Sequence, residues 1–249
     1  MPPREAEFLL IDNSNSFTKF ALSSRTELLA TRKLATREVS AESLARVVRG
    51  WRFRAAVLSS VVPDKGAVIG QFLAELPVLR VSAKVQLGVG IDYPKPNSIG
   101  ADRLANAASA AAFYGAPVVV VDFGTAVSFD IISRERNYVG GVIAPGLEAM
   151  TDYLHQRTAL LPKISLLEPP AAIGKSTRAA MLSGAVHGYR GLVRQILVEL
   201  ARELGVRRNL RVVATGGYAE LIAAGLPEIK IIRPDLTLQG LRIIGDLNL

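Results

Sequence analysis

The chain has 249 residues, 49% of them hydrophobic and 21% charged, which suits one or two globular domains with a sizeable core and excludes a disordered chain. The absence of cysteine excludes disulfides, thiolate zinc sites and a cysteine nucleophile, and two histidines, His155 and His187, argue against a multi-histidine metal centre. The net charge of +8 is scattered, and its densest clusters, "TRKLATR" and "GVRRNLR", are not interleaved with aromatics, so the pattern reads as a solvated basic surface rather than a nucleic-acid face.

From the N-terminus, "MPPREAEFLL" carries acidic residues where a secretory signal would be basic, and no later apolar run approaches the ~20 residues needed to cross a bilayer. A cytoplasmic protein without membrane contact is expected. "FLLIDNSNSFTKFAL" (8–22) predicts a β-hairpin whose turn is opened by Asp12. "VSAESLARVVRGWR" (39–52) predicts an amphipathic helix capped by Ser40, "AVLSSVVP" (56–63) a strand running into a loop, and "PVLRVS" a further strand. "DYPKPNSIGADRLAN" (92–106) is a proline-studded loop that runs into an alanine-rich helix over 102–115, stopped by Gly115. "VVVVDFGTAVSFDI" (118–131) is a strand buried on both faces that ends on Asp122 and turns back through small residues. After "YVGGVIAPGLEAM" comes a long helical tract from Ser176 to Gly205, and then "LRVVATGGYAELIAAG", a strand, a Gly-Gly turn and a helix.

The two aspartate-ended hairpins match each other. In both, an apolar strand ends in Asp, followed by an arbitrary residue, a small one (Ser14 or Gly124) and a short polar one (Asn15 or Thr125), then a second strand. Their aspartates stand 110 residues apart, about one small domain. This predicts an α/β protein of two similar halves, 1–115 and 116–249, with mixed sheets facing a central cleft. Small turn residues let backbone N–H groups approach a phosphate, and carboxylates suit a cation that neutralises it. Asp102 and Arg103 occupy the first turn of the alanine helix, where an aspartate caps N–H groups and interacts well with the dipole. The same dipole would keep Asp102 ionised and able to accept a hydroxyl proton, Arg103 offers a planar fork for a carboxylate or phosphate, and Gly100 removes bulk where a substrate would approach. On these grounds alone, cap and reaction site both remain open.

"IGADRLAN", "VVDFGTAVSFD", "GGVIAPGL", "SSVVP", "ATGGYAELI" and "PDLTLQGLRII" together resemble the type III pantothenate kinase family, in matching order and over nearly the whole chain. The resemblance implies the actin-like ATPase superfamily with two ribonuclease-H-like domains, and ATP-dependent phosphorylation of pantothenate as the activity. It assigns the ATP-phosphate turn to Asp12, Asn13, Ser14, Asn15, Ser16, Phe17, Thr18 and Lys19, with Thr125 as a further ATP contact. Asp102 matches the general base, and Tyr93, Gly100, Ala101, Arg103 and Thr177 match pantothenate-contacting positions. Asp122 matches a ligand of a monovalent cation, potassium or ammonium, alongside ATP with Mg²⁺, and the family implies a homodimer.

One position departs from the pattern. Ser14 stands where the family has glycine; were φ positive there, serine would cost about 1–2 kcal/mol and weaken ATP binding. "GKST" (174–177) invites a P-loop reading, but Pro169 occupies the place of that motif's first glycine. Two rival functions share this fold: a kinase-like transcriptional accessory factor, and a sugar- or acetate-kinase-like enzyme, against which the "YPKPNSIGADR" loop argues.

Overall fold

The computed structural model describes residues 6–206 and 210–249; Arg207 and Arg208 of the "GVRRNLR" cluster lie outside the described residues, as do residues 1–5. The chain's contacts divide into two units, residues 1–116 with 134–140 and 235–249, and residues 117–133 with 141–234.

In the first unit, β1 (Ala6–Asn13) and β2 (Phe17–Ser23) form the anticipated antiparallel hairpin, with Asp12 opposite Lys19 and Asn13 opposite Thr18. β3 (Leu28–Ala35) extends the meander, while β4 (Phe53–Ser60) and β5 (Val78–Arg80) run parallel on the other side, giving the order β3-β2-β1-β4-β5. The central strands read as continuous apolar runs because both faces of the sheet are covered. Leu9, Ile11, Ala56 and Leu58 face one way and pack with Leu44 of α1 (Ala41–Val47) and Ile69 of α2 (Pro63–Phe72). Ser40 caps α1 through a reciprocal pair: Ser43 N–H donates to Ser40 Oγ (3.3 Å) and Ser40 N–H donates to Ser43 Oγ (2.9 Å). The stretch after β4 differs from expectation. Pro63 starts a helix instead of a loop, since a proline at the first helical position has no N–H to lose there.

The opposite face is covered by α3 (Ala101–Tyr114) and α7 (Leu236–Asn248). Gly115 closes α3 at φ +73°, a left-handed value that glycine adopts without strain. The two helices meet almost backbone to backbone: a Cβ on Gly240 would lie 1.9 Å from the Ala105 carbonyl oxygen. Thr237 Oγ1 donates to Asn106 Oδ1 across the same buried contact (2.8 Å). Gly245 sits over Val57 and Phe8, so α7 lies flat on β1 and β4.

The second unit repeats the first. β7 (Val118–Phe123) and β8 (Ala126–Ile132) form the second hairpin, β10 (Arg211–Thr215) lies parallel to β7, and β11 (Ile231–Ile232) parallel to β10. With β9 (Asn137–Pro145) the order is β9-β8-β7-β10-β11, the order of the first sheet strand for strand. Residues 137–140 of β9 belong to the first unit, where Asn137 and Tyr138 pair in parallel with Gly90 and Ile91 of the short β6 (Gly90–Ile91). Helices α4 (Leu147–Arg157), α5 (Thr177–Glu203) and α6 (Ala219–Ala223) complete the second unit. Among the described residues no helix is long and apolar enough to cross a membrane.

Gly240→Ala should force α3 and α7 apart and cost about 1–3 kcal/mol, the usual penalty for overpacking. A thermal melt by circular dichroism should show Tm several degrees below that of the unmodified protein.

Candidate active site

The Asp12 turn rests on a chain of buried hydrogen bonds. Asp12, Asn13 and Thr18 are buried. Ser60 Oγ donates to Asn13 Oδ1 (2.7 Å), and Asn13 Nδ2 donates to Thr18 Oγ1 (2.8 Å). Thr18 Oγ1 lies 3.0 Å from Thr36 Oγ1, which donates to the Ser14 carbonyl (2.6 Å). These bonds account for the second serine of "SSVVP", which holds the Asn13 amide. Ser14 N–H donates to the Phe17 carbonyl (3.2 Å), closing the turn, and Ser14 Oγ donates to Asp12 Oδ1 (2.9 Å). Ser14 has no left-handed backbone: among the described residues the only non-glycine with positive φ is Arg136. The strain considered for a serine here is therefore absent, and its hydroxyl has instead become a partner of the carboxylate. Asn15, Ser16 and Phe17 are exposed at the tip, and Lys19 is half-buried in β2.

Asp102 heads α3, following the extended residue Gly100 and the buried Ala101. Its Oδ1 accepts the Arg103 N–H (2.8 Å) and stands where a Cβ on Gly100 would come within 2.6 Å. The glycine is thus required by the aspartate itself, a reason for it that composition did not suggest. Burial pushes the Asp102 carboxyl above the usual carboxylate range, and the Arg103 N–H and guanidinium offset this only in part. Loss of water thus works against the helix dipole that was expected to keep Asp102 ionised, and outweighs the Arg103 contacts. The Arg103 guanidinium lies 5.7 Å from the centre of the Tyr138 ring, and Tyr138 packs edge-on against Tyr93 (6.1 Å, 74°). Gly140, at φ +135°, lies under the Tyr93 ring. Tyr93, Gly100, Ala101, Asp102 and Arg103 therefore all belong to the first unit, together with Asp12.

In the second unit three glycine turns gather at the end of β7. A Cβ on Gly216 (φ +92°) would lie 2.6 Å from both Asp122 Oδ1 and Phe123 N. Gly146 N–H donates to the Thr125 carbonyl (3.1 Å), and a Cβ on Gly146 would meet that oxygen at 2.3 Å. Gly124 N–H donates to the Ala126 carbonyl (3.1 Å), and Thr125 is exposed between them. The Tyr218 hydroxyl donates to Glu148 Oε1, and burial together with this carboxylate pushes the phenol far above its ordinary range. Thr177 is the exposed first residue of α5, and Ser176 caps that helix by accepting the Ala179 N–H (3.2 Å). "GKST" is therefore a helix start. His155 and His187 lie exposed on α4 and α5.

Sequence reasoning did not single out Tyr138, Gly146, Glu148 or Tyr218. The "APGLEAM" and "GGYAE" motifs carried a signal for three of them, whereas nothing marks Tyr138 as a neighbour of Arg103. Among the described residues no three acidic or histidine side chains gather as a metal-holding group. The oxygen donors here, carboxylate and hydroxyl, suit hard cations such as Mg²⁺, which complete their shell with water and phosphate oxygens.

Two halves with one strand order, each carrying an aspartate one residue before the end of its first strand and a tight turn after it, define a duplicated ribonuclease-H-like fold of the actin-like type. The chain superimposes on a Baf family transcriptional activator from Campylobacter jejuni (TM-score 0.62, 18% identity, 95% of this chain and 96% of that one). It also superimposes on MreB 5 of Spiroplasma citri bound to AMPPNP (TM-score 0.52, 12% identity, 97% and 96%). Identities this low speak to the fold alone. The family model described as type III pantothenate kinase matches residues 8–199. A type III pantothenate kinase of Akkermansia muciniphila is 57% identical over 243 residues, 97% of this chain and 99% of that protein. The chain belongs to the type III pantothenate kinase family.

A carboxyl with a raised native pKa gives up its proton reluctantly, so folding favours its protonated form. The charged form therefore costs stability at neutral pH, and the cost disappears as pH falls through the raised pKa. Asp102→Asn should melt above the unmodified protein at pH 8, with the gap in Tm narrowing as the pH is lowered; a gap independent of pH would contradict the burial argument.

Proposed function

We propose that the protein is a pantothenate kinase, transferring the γ-phosphoryl group of ATP to the primary hydroxyl of pantothenate to give 4′-phosphopantothenate, the first step of coenzyme A biosynthesis in the cytoplasm. The observation that carries the reading is Asp102: a desolvated carboxyl heading a helix, cleared by a glycine, with Arg103 and two tyrosines beside it. In its ionised form Asp102 takes the hydroxyl proton while the substrate oxygen attacks the γ-phosphorus and ADP leaves. A base must lose its proton to act, so kcat/KM rises with pH through its pKa, which burial moves upward for Asp102.

Arg103 holds the pantothenate carboxylate, with Tyr93, Gly100, Ala101 and Thr177 as further contacts. The turn from Asp12 to Lys19 and Thr125 receive the phosphates. Asp12, oriented by the Ser14 hydroxyl, would hold Mg²⁺, which would supply charge neutralisation to the phosphates. Asp122 would hold a monovalent cation, K⁺ or NH₄⁺. The protein works as a homodimer, which gives cover to Ile143, Tyr153, Leu160, Leu167 and Ile173, apolar side chains between 63% and 89% exposed in the single chain.

The test is a coupled ADP-release assay with pantothenate, MgATP and KCl. Asp102→Asn should lower kcat by about 10²–10⁴-fold and leave nucleotide affinity unchanged. Near-normal turnover in that variant would remove Asp102 from the base role, and silence of the unmodified protein would remove the kinase reading. Light scattering should give twice the 26.7 kDa chain mass, and Leu160→Asp should shift the protein toward monomer.

A further inference from the structure

A cavity of about 600 Å³ opens in the second unit between the C-terminal half of α5, the start of β10 and the segment leading into β11. None of the site residues described above lines it. Arg211 at its edge begins β10, whereas the Thr215–Gly217 turn follows that strand's other end, so one strand separates the cavity from Asp122's surroundings. Its size is that of a small-molecule site. The floor is apolar, built from Leu197, Val198, Val212 and Ile231. Val198 is 46% exposed, a large apolar side chain turned toward open space.

Charge around the cavity is one-sided. Its lining includes Arg194, Arg211 and Lys230 against a single carboxylate, Glu228. Arg194 Nε donates to Glu228 Oε1 (2.9 Å), so these two charges answer each other and are tied to the loop through the Gly225 carbonyl. The surplus is carried by Arg211 and Lys230. Arg211 is also the last residue of the "GVRRNLR" cluster, the basic run that the phosphoryl-transfer site leaves unused.

An apolar floor under two surplus cations selects a ligand with an apolar body and an anionic head. A neutral apolar molecule leaves the cations without a counter-charge, and a compact anion leaves the floor wet. We propose that this cavity binds an anionic amphiphile of small-molecule size, a carboxylate or phosphate monoester carrying a short hydrocarbon body, independently of pantothenate and ATP. Arg211 and Lys230 bind the head by charge-assisted hydrogen bonds, and the side chains at 197, 198, 212 and 231 take the body.

Isothermal titration of the intact protein with octanoate, octyl phosphate and octanol tests this. Binding of either anion at one site per chain, at least tenfold tighter than octanol, is expected, and comparison of the two anions distinguishes a carboxylate head from a phosphate head. The double variant Arg211→Glu, Lys230→Glu should weaken the preferred anion at least tenfold, and Val198→Asp should do likewise through the floor. All three substitutions are at exposed positions, and an unchanged melting curve shows that the fold persists. The proposal is overturned if neither anion binds, if octanol binds as tightly as the anions, or if the charge-reversed protein keeps its affinity. Because the readout is binding without nucleotide, its failure leaves the kinase reading untouched, and loss of kinase activity leaves this result untouched.

Discussion

A carboxylate can be set at the end of a strand or helix only where the neighbouring backbone leaves room for its oxygens. In this protein that room is made by missing side chains. Gly100 yields to Asp102 Oδ1 and Gly216 to Asp122 Oδ1, and in both places an added Cβ would intrude to 2.6 Å. At Asp102 the narrow space excludes water, and burial dominates the protonation of that carboxyl. At Asp12 the solution is different. Ser14 stands beside the acid and hydrogen-bonds to it, so the acid is held by contact rather than by clearance. The first turn is consequently stiffened from within, by the run of hydroxyls and amides from Ser60 to Thr36, and not by a glycine backbone.

The duplication gives these acids their common placement. Both sheets have a hairpin followed by a parallel strand on the far side of the first, and both first strands carry the aspartate one residue before their end. Strands covered on both faces need apolar residues throughout. Polar groups are therefore accommodated most readily near strand ends, where turns and helix starts supply donors. The same rule explains why the polar network of the first unit sits under the Asp12 turn.

Much of this was legible in the sequence because the governing constraints are local. Valine runs ending in Asp and small residues encode the hairpins, Ser40 with Ser43 encodes a helix start, and alanine periodicity ended by Gly115 encodes α3. What escaped depends on contacts distant in sequence. The clearance at Gly216 involves a residue almost a hundred positions from Asp122, and Tyr138 meets Arg103 only through the pairing of β9 with β6. The upward push on the Asp102 carboxyl escaped for a similar reason. A dipole can be inferred from position in a helix, but desolvation depends on everything packed around it.

The placement of α7 has a consequence for biosynthesis. The last helix of the chain covers a face of the first sheet, and its Gly240 sits against the Ala105 backbone. The strands it packs on, β1 and β4, are synthesised long before that helix, so this part of their face stays uncovered until α7 follows. The nascent protein is therefore most exposed to chaperones and proteases in its oldest part, and any truncation that removes α7 takes a wall from the half that was synthesised first.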